Sequence, residues 1–487
     1  MLTSAPPKQR FLAVTAIVTL SILGGLVAGF LTGFNPLILA LPVVAISIVV
    51  AFFSNFETVV LGALILRSSL DLWSAQQIPA LLAIGLDVLA ILYVAAAILT
   101  RKKIHTDKFW WFFLGWVSLK AMWIVLLPLG ALGMGSSLMS ESIREWVRLF
   151  SMVMVYLLVM QLKDRMSPQR LVTILLLSLV GPLTAAAMQT FLPVSVLPSV
   201  LVWDGGFNFE AGVRINGTLG HPATFATFTV LFLGLAYWKL TQSFNKLPWL
   251  LLLGAMAFFL VTSKSLTGLS MMVVFTFFMI VPRLNVKNAL GGIALVALVF
   301  VLAGSSEFGQ ERFRALLDTP LLNPDINTSR AILLAWADGN SFNWRVAQWT
   351  FLIDAWREHP ILGHGIYSAS YITYHDNLAH NDYIRALAEQ GIVGLFLFLL
   401  FLGVQFVRLL KLMAVAPRNG GQWTLCLVLM SLLLAMMLGM ATDNLLTHTT
   451  FFFYWWTLFA IAGWDWQEVP NASSQDPLEN PSSALYF

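Results

Sequence analysis

The sequence predicts an all-α polytopic membrane protein, with about 12 to 14 transmembrane helices and one long extracytoplasmic loop that itself contains amphipathic helices. Three observations carry this fold class. Of the 487 residues, 58% are hydrophobic and only 11% are charged, where a soluble domain has about a quarter of its residues charged. Apolar runs of about 17 to 25 residues, the length that crosses a hydrocarbon core, recur from Phe11 almost to the C-terminus. The polar residues that remain collect in one stretch of domain scale, 305–389.

Taken in order, window hydropathy and breaker residues place spans at 11–34, 36–53, 57–67, 81–100, 109–132, 143–162, 169–192, 223–240, 247–262, 265–282, 288–304, 390–411, 422–441 and 448–464. The run from Phe11 to Phe34 is too long for a signal-peptide core and is followed after Asn35-Pro36 by another apolar run, so it reads as a retained first span. The third span, Glu57 to Arg67, is short, and charge decides for it. With both termini cytoplasmic, 16 of the 28 Lys and Arg fall in short inner linkers, Arg101, Lys102 and Lys103 among them. Without the third span those three would turn outward.

The chain thus divides into an N-terminal membrane scaffold (1–140), a membrane core with an outer loop at 193–222 (141–304), a long periplasmic loop (305–389), C-terminal spans (390–466) and a cytoplasmic tail (467–487). Scattered basic residues and a formal charge of +4 argue against a nucleic-acid partner. The single cysteine, Cys426, lies inside an apolar run and leaves neither a disulfide framework nor a thiolate metal site.

The basic residues that break the charge rule carry the chemistry. Arg148, Arg214, Lys264, Arg345 and Arg385 lie in outer loops or at outer span ends, as do six of the seven histidines. In the long loop, Asn343 is placed to cap a helix through WRVAQWTFLIDAWREH, where Trp349, Leu352, Ile353 and Trp356 form an apolar stripe suited to the membrane interface. Pro360, Gly363 and Gly365 then break the chain before a second amphipathic helix starts near His380. On it Arg385 is spaced to meet Asp382 and Glu389. Gly391 and Gly394 of GIVG would allow a bend or close packing where the chain enters the membrane.

His359, His364, His375, Asp376 and His380 show no HExxH and no pair of histidines at the i, i+4 step, so neither a metal nor a cofactor is expected. Lys120, inside a span, reads as a functional intramembrane charge, a partner for Asp87 or a snorkelling side chain.

His380-Asn381, nine residues, then Gly391-Ile392-Val393-Gly394 resembles the histidine-centred signature of the O-antigen ligase and polysaccharide polymerase superfamily. RVAQWTFLIDAWREHPILGHG (345–365) is similar to the family's loop segment, with Arg345, Trp349, Gly363 and Gly365 in place. GVRINGTLGHPATFATF (212–228) resembles its outer-loop arginine motif, and TSKSLTG (262–268) a hairpin that usually carries arginine where this chain has Lys264. Lysine keeps the charge and loses the planar fork. His221-Pro222-Ala223 likewise departs from the Pro-Asn pair often found there.

The resemblance implies a bacterial inner-membrane glycosyltransferase whose donor is an undecaprenyl-diphosphate-linked oligosaccharide and whose acceptor is a glycan or lipid A-core. It implies a periplasmic active site, membrane lipids as surroundings, and chain-length regulator or flippase proteins as further partners. His380 is then the catalytic residue, as general base or as the group that positions the acceptor, with Arg214, Arg345, Lys264 and Arg148 on the diphosphate, because guanidinium groups bind a departing diphosphate without a metal. Asn381, Trp349, Gly363, Gly365, Gly391 and Gly394 carry the motif. Polymerisation of repeat units and ligation to lipid A-core both stay open. The rival class is a secondary transporter, which commonly shows repeated halves; no second copy of the 305–389 loop is present.

Overall fold

The computed structural model describes residues 36–126, 138–202, 214–283, 341–373 and 378–466, with isolated positions between 290 and 334. The expected first span 11–34, most of the span 288–304, the tail 467–487, and His375 and Asp376 lie outside the described residues. Among the described residues the secondary structure is helical throughout, with no strand.

The described α-helices of eight residues or more are α1 (Pro36–Ser54), α2 (Phe56–Leu66), α3 (Ile78–Leu99), α4 (Lys108–Lys120), α5 (Met139–Met160), α6 (Pro168–Leu175), α7 (Val180–Phe191), α8 (Pro222–Gln242), α9 (Leu247–Thr262), α10 (Leu266–Ile280), α11 (Ser341–Glu358), α12 (Asp382–Val415), α13 (Gly421–Thr442) and α14 (Thr449–Ala462). Six described helical stretches are long and apolar enough to cross a membrane: Ile78–Leu99, Lys108–Leu126, Pro168–Phe191, Pro222–Gln242, Asp382–Val415 and Gly421–Thr442. The helices α9, α10 and α14 are apolar but shorter.

Val43–Ser54 and Phe56–Trp73 form a further pair bent by 115°. The expected short third span is thus lengthened, because α2 continues as a 3₁₀ turn through Arg67–Trp73. Its two ends reach opposite ends of the bundle: the Arg165 guanidinium lies over the Phe56 ring at 4.7 Å, and Arg67 donates to Thr449 at 2.9 Å. Leaving the α-helical ladder frees backbone groups that lipid cannot satisfy. Tyr454 resolves two of them, donating its hydroxyl to the Leu64 carbonyl at 2.7 Å and accepting the Ser68 N–H at 3.2 Å.

Two kinds of surface result. α8, α13 and α14 are wrapped by other helices, and Trp238, Trp455 and Tyr454 are fully buried. α10 and α12 pack along α13, and α14 along α5. At the heart of the bundle Trp116 stacks on Phe401 with centroids 4.0 Å apart. α3 instead presents Leu81, Ile84, Val88 and Ile91 outward, as a lipid-facing helix does.

Charged groups assigned by sequence to opposite sides of a membrane collect at opposite ends of the bundle. At one end Arg408 bridges Asp107 at 2.8 Å and Tyr156, and His105 meets Asp164 at 2.8 Å. At the other end His380, Asp443, Arg214 and Arg67 make the contacts described below. One expected pairing is corrected. Lys120 does not meet Asp87: it donates to the Gln390 amide oxygen at 2.5 Å, while Asp87 accepts from the Ser151 hydroxyl at 2.5 Å. Burial inside the bundle lets neither side chain snorkel, so each takes the nearest neutral polar partner. The α11 helix starts at Ser341, two residues before the expected cap Asn343.

Candidate functional site

The segment His380–Tyr383 is stapled residue by residue onto the end of α13. His380 donates its backbone N–H to the Asn444 side chain at 2.7 Å and points Nδ1 at the Asp443 carboxylate at 3.2 Å. Asn381 caps α12, its amide oxygen accepting from the N–H groups of Tyr383 and Ile384 at 3.0 Å, and its amide nitrogen donates to the Ala441 carbonyl at 3.0 Å. Asp382 accepts the Leu446 N–H at 3.0 Å, and the Tyr383 hydroxyl donates to the Met437 carbonyl at 2.8 Å. These contacts hold His380 in the left-handed region at φ 48°, a conformation that costs a non-glycine residue about 1–3 kcal/mol and persists only where its surroundings impose it.

α11 closes over the same segment. Trp349 donates its indole N–H to the Ala379 carbonyl at 2.6 Å, Arg345 donates to the Thr442 carbonyl at 3.0 Å, and the Trp344 ring lies 6.0 Å from the His380 imidazole. Leu352 is buried against Ala369, Ala379 and Ala388. The stripe expected to lie on the membrane interface therefore packs in part on protein: Trp349 and Leu352 face the start of α12.

The glycines explain how loop and helix meet. α12 is broken at Gly391, with φ 66° and ψ −167°. There Ile392 N–H donates to the Pro360 carbonyl at 2.9 Å, and Gly365 N–H to the Glu389 carbonyl at 2.7 Å. Two backbones lie against each other with no room for side chains. A Cβ on Gly391 would overlap the Ile361 carbonyl, and one on Gly363 would sit 2.5 Å from the Gln390 nitrogen. Gly394 leaves space for Gln390, the partner of Lys120.

Asp443 is buried. Burial by itself would raise its pKa, but the His380 hydrogen bond and the nearby His448, His380 and Arg345 hold the carboxyl well below the usual carboxylate range. His448, buried one helix start away, bonds the Thr227 hydroxyl at 3.0 Å; burial pushes its pKa down, against the pull of Asp443. His221 caps α8 through Nδ1, accepting from Ala223 N–H at 3.1 Å, and is within electrostatic reach of Asp443, His448, Arg214 and His380. Arg214 donates to the carbonyls of Ser263 and Lys264 at 3.4 and 3.3 Å. His380, Arg345, Arg214 and the Lys264 hairpin are thus gathered at one end of the bundle.

Arg148, near the same end, pairs with Glu145 at 2.8 Å and faces a cavity lined also by Arg67 and Thr449. Glu145 also binds Arg385 at 3.0 Å, and Arg385 binds Glu389 at 3.0 Å, as the spacing predicts. Asp382, the other expected partner, turns to the Leu446 N–H instead.

Sequence reasoning passed over Asp443, Asn444 and His448. One signal was present: five polar residues crowd the short connector ATDNLLTH between two spans. His359 and His364 stack edge to face with centroids 4.6 Å apart, and among the described residues no three His, Cys, Asp or Glu side chains gather as metal ligands do.

Residues 223–399 match the family model described as O-Antigen ligase. The match contains His380, Arg345, Lys264 and both GIVG glycines, and supports a membrane glycan function of the O-antigen ligase and polymerase type. Arg214, Asp443 and His448 lie outside it. No curated protein matches the chain.

Proposed function

We propose, from the premise that residues 223–399 carry an O-antigen ligase domain, that this protein is a polyprenyl-diphosphate-dependent glycosyltransferase. It moves a glycan from undecaprenyl diphosphate to a hydroxyl of an acceptor sugar, polymerising O-antigen or exopolysaccharide repeat units or ligating O-antigen to lipid A-core. In this reading it crosses the bacterial inner membrane about fourteen times, with both termini cytoplasmic and the site on the periplasmic face. The observation that carries the reading is the His380–Asp443 pair, 3.2 Å apart, set beside Arg345 and Arg214 at one end of an apolar bundle.

The chemistry follows from those groups. Asp443 accepts the Nδ1 proton of His380, which fixes the tautomer and leaves Nε2 to take the acceptor's hydroxyl proton. The acceptor oxygen forms its bond to the anomeric carbon as the bond from that carbon to the diphosphate oxygen breaks, and the diphosphate departs with the electron pair. Arg214 and Arg345, with Lys264 beside them, balance the charge that grows on the leaving group. Asp443 balances the imidazolium that forms. Arg148, committed to Glu145, takes no part in this step.

Deletion of the gene is expected to accumulate lipid-linked oligosaccharide, and a plasmid carrying the intact gene to clear it. Complementation by His380→Ala at equal protein level would overturn the reading. A solute-uptake defect without that accumulation would point to transport.

A further inference from the structure

Thr447 and Thr449, the chain neighbours of His448, line a cavity of about 330 Å³ that the step described above does not use. Its other polar lining includes Arg67, Asp71, Arg148 and Ser151. The size suits a small-molecule subsite, since such pockets run to about 300–1,000 Å³.

Each of the two cations in this wall already has an acidic partner. Arg67 binds Asp71 at 2.6 Å and donates its second arm to the Thr449 hydroxyl at 2.9 Å. Asp71 accepts from Thr450 at 2.5 Å, and Arg148 is held by Glu145 at 2.8 Å. An anion entering here would meet the Asp71 carboxylate and two guanidinium groups that each already hold a carboxylate, so a phosphate gains little over a neutral group. An uncharged sugar ring finds what its hydroxyls need: guanidinium N–H groups that donate, carboxylate oxygens that accept, and hydroxyls that do both. Ala80 and Ala83 of α3 leave the space open on one side.

We propose that this cavity is the subsite for an uncharged sugar of the acceptor glycan, with the turn Asp443–Thr449 as the partition between acceptor and diphosphate sites. The assignment rests on the transferase reading for the word acceptor, while the binding of a sugar is tested without it. Arg148 is thereby moved from the donor side of the reaction to the acceptor side.

The test uses the full chain in nanodiscs. Saturation-transfer NMR is recorded with the oligosaccharide freed from its lipid diphosphate by mild acid, and inorganic pyrophosphate as competitor. Wild type and His380→Ala are expected to saturate the sugar protons, Ala83→Phe to lose at least tenfold of that signal, and pyrophosphate not to displace it. Thr449→Val, a smaller change, keeps the fold and weakens the signal several-fold. A signal unchanged in Ala83→Phe and Thr449→Val, no sugar signal in wild type, or displacement by pyrophosphate each overturns the proposal. In transfer assays the same variants are expected to raise the acceptor KM at least tenfold and the donor KM less than twofold; a rise in the donor KM alone also overturns it. Sugar binding that depends on Ala83 in a protein with no transfer activity would leave the subsite standing and sink the transferase reading.

Discussion

His380 and Arg385 stand little more than one helical turn apart, and their surroundings are opposite. His380 is partly open, with a side chain 21% exposed and a single buried carboxylate as its ion-pair partner. Arg385 is sealed at 4% exposure between Glu145 of α5 and Glu389 of its own helix. Both are polar groups at the start of a long membrane helix, and from their residue types either would serve as a site. Access separates them: a group sealed between buried carboxylates holds elements together, whereas one anchored on one edge keeps the other for a reactant.

The largest test of that contrast replaces each in turn. Arg385→Ala leaves Glu389 without its ion-pair partner and Glu145 with Arg148 alone, and is expected to cost about 3–5 kcal/mol, read as loss of the folded monodisperse fraction and a lower Tm. His380→Ala is expected to keep the Tm near wild type and to lower glycan transfer by about 10²–10⁴-fold, the usual weight of a general base. If Arg385→Ala folds normally, the knot is not structural.

A second test loosens the joint between the two regions. Gly391→Ala and Gly363→Ala each force a strained backbone at about 1–3 kcal/mol, with overlap against the facing chain added. Because each glycine abuts the other segment's backbone, the double variant should cost less than the sum of the singles in thermal unfolding. Strict additivity would mean that the two segments are not coupled.

Asp443→Asn sharpens the His380 side alone. The amide keeps a hydrogen-bond acceptor and loses the charge, a difference of about 1.4 kcal/mol between charge-assisted and neutral bonds, so kcat is expected to fall by about tenfold with little change in donor KM. An equal loss through KM would make Asp443 a binding group.

The smallest effect is on pH dependence. Burial lowers the pKa of His448 in the folded protein, below its unfolded value of about 6.5. The unfolded chain then binds the proton more readily, so Tm is expected to fall as pH is lowered through about 6.5 and below. Asp443, whose folded pKa is also depressed, adds a further loss only below about pH 4. His448→Asn should lessen the first decline, to which His221, whose pKa desolvation lowers to about 4, also contributes, and a Tm that rises toward pH 5 would contradict the neutral imidazoles.

Much of the helix map was legible because lipid imposes it. Span boundaries at 81–100, 247–262 and 422–441 lie within a few residues of α3, α9 and α13, since an apolar run and its breakers are local properties of the chain. The break at Gly391 was also foreshadowed, because a glycine pair at the start of a span has few other uses. What failed was pairing. Lys120 and Asp87 looked like partners by charge, yet helix rotation turns them to Gln390 and Ser151. For Arg148, too, hydropathy and charge singled out no acidic partner, and its own helix supplies Glu145 one turn back.

By itself the sequence determined that this chain is a helical membrane protein whose histidines and the basic residues that break the charge rule collect where polar loops meet spans, because hydropathy, charge asymmetry and the His380 motif are written in consecutive residues. Only the tertiary structure decided which acid faces His380. Asp443 is 63 residues away and becomes its partner because the end of α13 packs on the start of α12. Contacts of that range depend on the angle and rotation of two helices, which no local run of residues specifies.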